Sequence, residues 1–211
     1  MTTKYLFLDV ETTGTSPIIH DIYQIAYIID VDGKEVLRNS FNVKPFSPDT
    51  ITQPALNIGG YTKEEIMEFP DYKEVKEKIV EDFKLHINIR DSNDKMYPVG
   101  FHVYFDMSFL AMFFKKCNDR FLGSFINWRR LDIAPFVHML ECRGLLKLKN
   151  YKLKTVCEHF SIELEDAHDA MSDIVATREL FHVINKTTEF NLNSPSVDDD
   201  EIEEEIFEEI I

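Results

Sequence analysis

The sequence has few of the residues that distinguish secreted and membrane-spanning proteins. Its 211 residues include three cysteines, Cys117, Cys142 and Cys157, an odd number without the spacing of metal ligands. We therefore expect reduced thiols and a cytoplasmic protein. The first apolar run follows a single lysine and is broken by Asp9, so it predicts neither a signal peptide nor a membrane span.

Positive charge is outweighed by negative charge, since 38 acidic residues against 23 lysines and arginines give a formal net charge of −15. This excess argues against strong non-specific binding to nucleic acid. Residues 188–211 hold ten acidic residues and no lysine or arginine, whereas residues 1–187 hold 28 acids and 23 bases. We therefore predict one domain, 1–187, followed by an acidic tail, 188–211. The tail is either disordered or a helix that docks on a basic partner, since Ile202, Ile206 and Ile210 fall on one helical face.

Apolar patterning predicts an α/β domain. Alternating or continuous apolar runs predict five strands, at residues 5–10, 21–30, 35–43, 96–101 and 128–133. A capping signal predicts a short helix that begins after Thr62. Helical spacing predicts further helices at residues 71–89, 106–116, 133–143, 152–160 and 168–185. An antiparallel meander followed by alternating strands and helices indicates a mixed five-stranded sheet with parallel strands, flanked by helices.

The first strand contains two carboxylates that need an explanation. Asp9 and Glu11 lie two positions apart in the apolar segment KYLFLDVETTG, so they project from the same face of the strand. Two such charges about 4 Å apart repel by roughly 4 kcal/mol at an effective dielectric of about 20. Either the segment is an ordinary strand end with a turn glycine, or a hard divalent cation such as Mg²⁺ or Mn²⁺ binds the pair.

Two further segments add candidate ligands. Asp106 ends GFHVYFD at a predicted helix start, where by itself it is an N-cap, and HDAMSD places His168 and Asp173 on the last helix. Alone, His168 is a capping or surface residue. Taken together, four carboxylates and one histidine are the groups that phosphoester hydrolysis with two metal ions requires.

With these motifs in this order, the chain resembles the DEDDh 3′–5′ exonucleases of the RNase H-like superfamily, in particular the proofreading exonuclease subunits of bacterial DNA polymerase III. FLDVETTG, GFHVYFD and HDAMSD match the three family motifs, and the resemblance extends over residues 4–185. It implies an RNase H-like fold and hydrolysis of terminal phosphodiesters to nucleoside 5′-monophosphates.

The resemblance also implies roles for individual residues. Two divalent cations, Mg²⁺ or Mn²⁺, would be held by Asp9, Glu11, Asp106 and Asp173, with His168 as the general base. The residues that would contact the terminal nucleotide are Thr12, Thr13, Gly14 and Ile58.

The chain departs from the family pattern at two places. The family usually has His-Asn where this chain has Phe101 and His102, and His102 either replaces the usual polar contact or faces the core or solvent. Gly59 stands where relatives often have a histidine that helps to hold the terminal nucleotide.

We expect a DNA-directed exonuclease that acts on single-stranded or frayed 3′ ends in proofreading or trimming. One alternative is the same chemistry on RNA, as in oligoribonuclease-like enzymes. Another is a binding module that docks through its acidic tail, on a polymerase or another replication protein.

Overall fold

A computed structural model describes residues 2–164 and 169–187, which form a five-stranded sheet and seven α-helices. The acidic tail and His168 lie outside the described residues. The strands are β1 (Lys4–Thr12), β2 (Ile22–Val31), β3 (Lys34–Asn42), β4 (Tyr97–Gly100) and β5 (Leu131–Asp132). The helices are α1 (Gln53–Gly59), α2 (Lys63–Met67), α3 (Tyr72–His86), α4 (Val103–Lys116), α5 (Ile133–Cys142), α6 (Leu153–His159) and α7 (Ala170–Thr187).

The sheet has the order β3-β2-β1-β4-β5, which places β1 at its centre. β1, β2 and β3 pair antiparallel, whereas β4 pairs parallel with both β1 and β5. The mixed sheet that the sequence predicts is therefore confirmed. The antiparallel pairs follow from short connections, such as the turn at Asp32 and Gly33, both of which adopt positive φ.

Side chains of β1 divide between the two faces of the sheet because successive residues of a strand point in opposite directions. Leu6, Leu8 and Val10 pack in a core with α3 and α4. Phe7 packs on the other face with α5, α6 and α7, where its ring lies edge-on to Phe181 at 5.4 Å. Asp9 and Glu11 have the same parity as Phe7, so they point toward α7.

Helix boundaries follow local signals at three places. Thr62 and Glu65 form the expected capping box at the start of α2, and the Asp71 carboxylate caps α3 by accepting from the backbone N–H of Lys73. At α7 the Asp169 carboxylate accepts from the backbone N–H of Ser172 at 3.0 Å.

Two sequence predictions, one about β5 and one about the start of α4, were wrong. Residues 128–133 do not form a six-residue strand, because only Leu131–Asp132 pairs with β4 and residues 128–130 lie outside the sheet. Asp106 is not an N-cap, because α4 begins three residues earlier, at Val103 after His102. Pro98 does lie at the start of its strand, as expected for a residue that lacks an N–H donor.

None of the described helices combines the length and the apolar composition needed to cross a membrane.

Candidate active site

Three of the predicted ligands converge at the sheet centre. Asp9 and Glu11 from β1 and Asp173 from the first turn of α7 each offer a carboxylate oxygen, and these oxygens all lie within 4.8 Å of one another. All three residues are partly buried. The juxtaposition arises because the Asp9 and Glu11 side chains project from the face of β1 that α7 covers.

Asp106 approaches the same point from α4. Its Oδ1 accepts from the backbone N–H of Val10 at 3.2 Å, and the residue is 4% exposed. It does not belong to the three-oxygen cluster, but its charge acts on Asp9 and Glu11 from the adjacent position. Asp106 is the fourth residue of α4, at the end of its first turn, and its carboxylate bonds to the strand rather than capping the helix.

Crowding and burial raise the proton affinity of these carboxyl groups. Burial raises the pKa of Asp9 well above its usual range, and the Asp106 and Asp173 charges raise it further. Burial and the Asp173 charge raise the pKa of Glu11 to about 7, against a lowering by the Tyr23 hydrogen bond. Burial raises the pKa of Asp106 to about 8, although the bond from Val10 lowers it.

This donor set fits a divalent cation. Ionised carboxylates held this close repel one another, and without positive charge nearby they retain protons near neutral pH. A hard cation with oxygen ligands reverses the sign of that interaction and displaces the protons. The carboxylate cluster therefore has the chemistry to hold a divalent cation.

A pocket of about 400 Å³ opens beside Glu11. Its lining includes Thr12 and Gly14 from the end of β1, Ile58 from α1 and Phe105 from α4. The Ile58 side chain is 54% exposed, so it offers apolar surface at the pocket. The volume lies within the range of about 300–1,000 Å³ that is typical of small-molecule sites.

Thr13 has a different position from its neighbours. It is fully buried, and its hydroxyl accepts from the backbone N–H of Asp21 at 2.9 Å. Its carbonyl accepts from both the N–H and the hydroxyl of Thr52, each at 2.9 Å. The Thr13 side chain therefore ties the end of β1 to the residue before β2, and its backbone carbonyl ties it to the segment that starts α1. Thr13 does not line the pocket.

His102 lies at the start of α4 and is exposed. Its backbone is left-handed, with φ of 69°, and its N–H donates to Asp132 Oδ1 at 2.9 Å. Histidine, asparagine and aspartate tolerate this conformation better than most residues. A tolerance for left-handed backbone therefore explains how histidine is accommodated where the family usually has asparagine.

The absence of a side chain at Gly59 also has a structural reason. A Cβ atom there would lie 1.9 Å from the Tyr23 hydroxyl oxygen. That hydroxyl belongs to a fully buried tyrosine of β2 and donates to Glu11 Oε2 at 3.4 Å. Tyr23 thus occupies the space that a side chain at position 59 would need, and it contacts one of the clustered carboxylates.

Sequence reasoning missed Tyr23, His20, Thr52 and Phe105. His20 and Phe105 line the pocket, and the His20 ring lies where a Cβ atom at Gly14 would come within 2.5 Å of it. Phe105 directly precedes Asp106, so its place in the second motif was the available signal. Tyr23 had none, because a tyrosine in an apolar strand is indistinguishable from an ordinary core residue.

Hydrogen bonds between Gln24 of β2 and residues 169 and 170 attach the third motif to the sheet. The Gln24 amide donates to Asp169 Oδ1 at 3.1 Å and accepts from the backbone N–H of Ala170 at 3.2 Å. This pair fixes the start of α7, and with it Asp173, against β2. The third carboxylate of the cluster is therefore held by side-chain hydrogen bonds as well as by helix packing.

Comparison with known proteins agrees with this geometry. The chain is 29% identical over 189 residues to the PolC-type DNA polymerase III of Halalkalibacterium halodurans, an alignment that covers 88% of this chain and 12% of that protein. It is 28% identical over 180 residues to the PolC-type DNA polymerase III of Bacillus subtilis, covering 83% and 11% respectively. The chain thus spans about a tenth of the length of these relatives.

Solved structures share the fold. The structure of E. coli exonuclease I in complex with a dT13 oligonucleotide has a TM-score of 0.72 at 21% identity, covering 87% of this chain and 41% of that one. A product-bound exonuclease I structure has a TM-score of 0.72 at 19% identity, covering 88% and 44%. The RNase H-like fold is therefore confirmed.

A protein-family model described as "Exonuclease" matches residues 6–181, from the centre of β1 to the middle of α7. The match includes both strand carboxylates, Asp106 and Asp173. Because it spans most of the sequence, the chain belongs to this exonuclease family.

Proposed function

We propose that the chain is a metal-dependent 3′–5′ exonuclease that hydrolyses the terminal phosphodiesters of DNA and releases nucleoside 5′-monophosphates. The observation that carries the proposal is the convergence of Asp9, Glu11 and Asp173 beside a pocket of about 400 Å³. A cluster of acidic oxygens suits cations and the phosphate that they attract, and the adjoining pocket suits a terminal nucleotide.

In this proposal Asp9, Glu11, Asp106 and Asp173 would hold two divalent cations, Mg²⁺ or Mn²⁺. When bound, such cations supply positive charge against the attacking and leaving oxygens of the phosphodiester. Glu11 is held by the Tyr23 hydroxyl at 3.4 Å and Asp106 by the backbone N–H of Val10 at 3.2 Å, so both carboxylates are oriented before a cation arrives.

The terminal nucleotide would lie in the pocket between Ile58 and Phe105, with Thr12 and Gly14 at its base. Ile58 and Phe105, 54% and 38% exposed, offer apolar surface to a base or sugar. Thr13 would act indirectly, because its hydrogen bonds hold the base of the pocket. His102 remains a candidate contact at the start of α4.

His168 is proposed as the general base that takes a proton from the attacking water. Activity should then fall as the pH drops through the pKa of His168, because an imidazolium cannot accept a proton. Replacing His168 by alanine should reduce turnover by about 10²- to 10⁴-fold while metal binding is retained.

A DNA substrate and a role in proofreading or trimming are supported by the relatives. PolC-type DNA polymerase III is named for DNA synthesis, and the exonuclease I structure contains a dT13 oligonucleotide. The acidic tail, residues 188–211, remains predicted as either a disordered segment or a helix that docks on a polymerase or another replication protein. If deletion of residues 188–211 changes neither activity at low salt nor partner binding, the docking role is contradicted.

One experiment tests the activity and the substrate together. 5′-Labelled single-stranded DNA and RNA of one sequence are incubated with Mg²⁺, Mn²⁺ or EDTA, using the wild-type chain and Asp9→Ala. We expect a metal-dependent ladder that shortens from the 3′ end, faster on DNA and lost in the variant. A faster ladder on RNA would overturn the DNA assignment, and no ladder on either polymer would overturn the proposed activity.

A further inference from the structure

A second surface with nucleic-acid chemistry lies next to the pocket. It consists of two exposed aromatic residues, Tyr104 and Trp128, and two arginines, Arg129 and Arg130. Tyr104 is 59% exposed and Trp128 is 80% exposed. The Arg130 guanidinium lies 5.0 Å from the centre of the Tyr104 ring, and that of Arg129 lies 5.6 Å from the centre of the Trp128 ring. We call these four residues the aromatic–arginine surface.

The fold brings this surface to the edge of the candidate active site. Tyr104 is in the first turn of α4, two residues before Asp106, and the intervening Phe105 lines the pocket. Arg130 directly precedes β5, whose Asp132 accepts from the N–H of His102. A strand whose last nucleotide occupied the pocket would therefore meet Tyr104 and Arg130 as it left.

The two arginines keep their charge available to a ligand. The ion pairs among residues 2–164 and 169–187 use other cations, among them Lys4, Lys116 and Arg178, and none of them involves Arg129 or Arg130. In a chain with a net charge of −15, two adjacent arginines form a locally positive site. Such a site attracts a polyanion that the rest of the molecule repels.

The combination of groups indicates which polyanion. Exposed aromatic rings stack on bases that are free of a duplex, and neighbouring arginines contact the phosphates and the base planes. Exposed tyrosine, tryptophan and arginine also occur at membrane and protein interfaces. The position of Tyr104 and Arg130 beside the pocket and the carboxylate cluster favours single-stranded nucleic acid as the occupant.

We propose that the aromatic–arginine surface binds the nucleotides that lie 5′ of the terminal nucleotide on a single-stranded substrate. The proposal rests on the proposed function, because it extends a strand from the pocket described above. In this proposal Tyr104, Trp128, Arg129 and Arg130 strengthen the binding of longer substrates, whereas the carboxylates serve the hydrolysis itself.

The first test measures how cleavage depends on substrate length. We compare kcat/KM for oligothymidylates of two and of twelve nucleotides, and expect the wild-type chain to favour the longer one. Tyr104→Ala and Trp128→Ala should each weaken the use of the longer substrate by about 5- to 150-fold, mainly through KM, because one stacking contact is lost. The preference for length should shrink accordingly.

Matched controls lie beyond the opposite end of α4. Phe121 is 72% exposed and follows Arg120, so Phe121→Ala and Arg120→Ala remove an exposed ring and a cation of the same types. Both control variants should keep the wild-type preference for length. Equal losses in the control and surface variants would overturn the proposal, because the effect would then be one of general charge or surface.

The second test does not depend on turnover. Binding of a fluorescent twelve-nucleotide oligothymidylate is measured in EDTA as a function of salt concentration. Arg129→Gln and Arg130→Gln should each reduce the slope of log K against log salt by about 0.7, the value for one phosphate contact on a single strand. Unchanged slopes in both variants would overturn the proposal and favour a protein partner for this surface.

The two tests separate this proposal from the proposed function. A chain that binds the oligonucleotide through the surface but cleaves neither length would support the surface and overturn the activity. A chain that cleaves both lengths equally, with slopes that the arginine variants leave unchanged, would support the activity and overturn the surface.

Discussion

Strands β1 and β2 both carry carboxylates in apolar surroundings, but the protein treats them differently. On β2, Asp30 is fully buried and accepts two hydrogen bonds from Arg178 Nε, at 2.9 and 3.0 Å. Before β2, the buried Asp21 pairs with Lys116. On β1, Asp9 and Glu11 face other carboxylates, and no ion pair among the described residues involves either of them.

The contrast separates carboxylates that stabilise the fold from those reserved for a ligand. Arg178 and Lys116 neutralise Asp30 and Asp21 within the chain, so these pairs link β2 and its preceding loop to α7 and α4. Among the described residues no lysine or arginine forms an ion pair with Asp9 or Glu11, so the burial and mutual repulsion of their charges lower the stability of the folded state unless a cation is supplied. That cost is accepted only where function requires it.

The largest expected effect comes from removing the Asp9 carboxylate, which we propose as a metal ligand. Asp9→Asn should abolish Mn²⁺ binding and lower cleavage by more than about 100-fold, since even groups that only support a metal ligand contribute 10- to 100-fold. In EDTA the variant should be at least as stable as the wild type, because one repelling charge is gone. Calorimetric titration with Mn²⁺ and thermal unfolding in EDTA measure both. Equal Mn²⁺ affinity would place the metal elsewhere.

The opposite result is expected at the paired carboxylate. Asp30→Asn leaves the partly buried Arg178 with the more distant Glu35 carboxylate, 3.7 Å from Nη1, so it should lower the free energy of unfolding by about 1–3 kcal/mol. Urea unfolding measures this, and activity per folded molecule should be retained. The control is Asp32→Asn, at an exposed position with positive φ that asparagine tolerates, for which a change within about 0.5 kcal/mol is expected. Equal losses in both variants would contradict the contrast.

A third prediction concerns pH. An unfolded carboxyl group loses its proton near pH 4, whereas Glu11 and Asp106 keep theirs in the folded protein to about pH 7 and 8. Between these values the folded state binds more protons, so these groups make the metal-free protein less stable as the pH rises. Because Mg²⁺ requires ionised carboxylates, its stabilising effect should grow over the same range.

Thermal unfolding from pH 5 to 8.5, in EDTA and in MgCl₂, measures this difference. The increase in melting temperature caused by Mg²⁺ should rise with pH in the wild type and in the folded fraction of Asp30→Asn. It should be absent at every pH in Asp9→Asn. An increase that is the same at all pH values would show that these carboxyl groups do not hold protons in the metal-free state.

The smallest effect is expected from the hydroxyl that orients Glu11. Tyr23→Phe should weaken Mn²⁺ binding by about 10-fold, as for other groups that hold a metal ligand. The matched control is Tyr27→Phe on the same strand, whose hydroxyl donates to Asp82 at 2.6 Å, away from the cluster. That variant should lose about 1 kcal/mol of stability and no Mn²⁺ affinity.

Position 59 provides a partner for that test. Gly59→Ala places a methyl group 1.9 Å from the Tyr23 hydroxyl, so it should displace the ring and weaken Mn²⁺ binding at least as much as Tyr23→Phe. In a Tyr23→Leu background, the same substitution should cost less, because the obstructing ring is gone. Additive losses in the double variant would argue that the two positions do not interact.

The sequence predicted the sheet and most of the cluster for physical reasons. Residue parity in β1 is a local property, so it placed Asp9 and Glu11 on one face without knowledge of the fold. The approach of Asp173 needed the family resemblance, because no local pattern shows that α7 covers that face. The role of His168 stays a prediction, since the residue lies outside the described part of the chain.

Other features depended on contacts between distant segments. Asp106 looked like an N-cap because it follows an apolar strand, but the left-handed backbone at His102 starts the helix earlier. Gly59 looked like a lost contact, and only the position of Tyr23, 36 positions earlier in the chain, shows why glycine is required. Residues 128–130 were predicted as part of a strand, yet they lie outside the sheet, with Trp128 and Arg129 exposed and Arg130 half-buried.

The hydrogen bonds around Thr13 have a consequence for how the pocket opens. Thr52, which precedes α1, is bound to Thr13 twice, and Thr13 in turn is bound to Asp21. If α1 and its Ile58 moved away from Glu11, the hydrogen bonds between Thr52 and Thr13 would break, and Thr13 lies two residues after Glu11. We therefore expect the backbone amides of Thr13, Thr52 and Asp21 to exchange with solvent deuterium as one cooperative unit. A terminal nucleotide would then be selected by its fit to a fixed cleft, rather than by closure of a mobile helix.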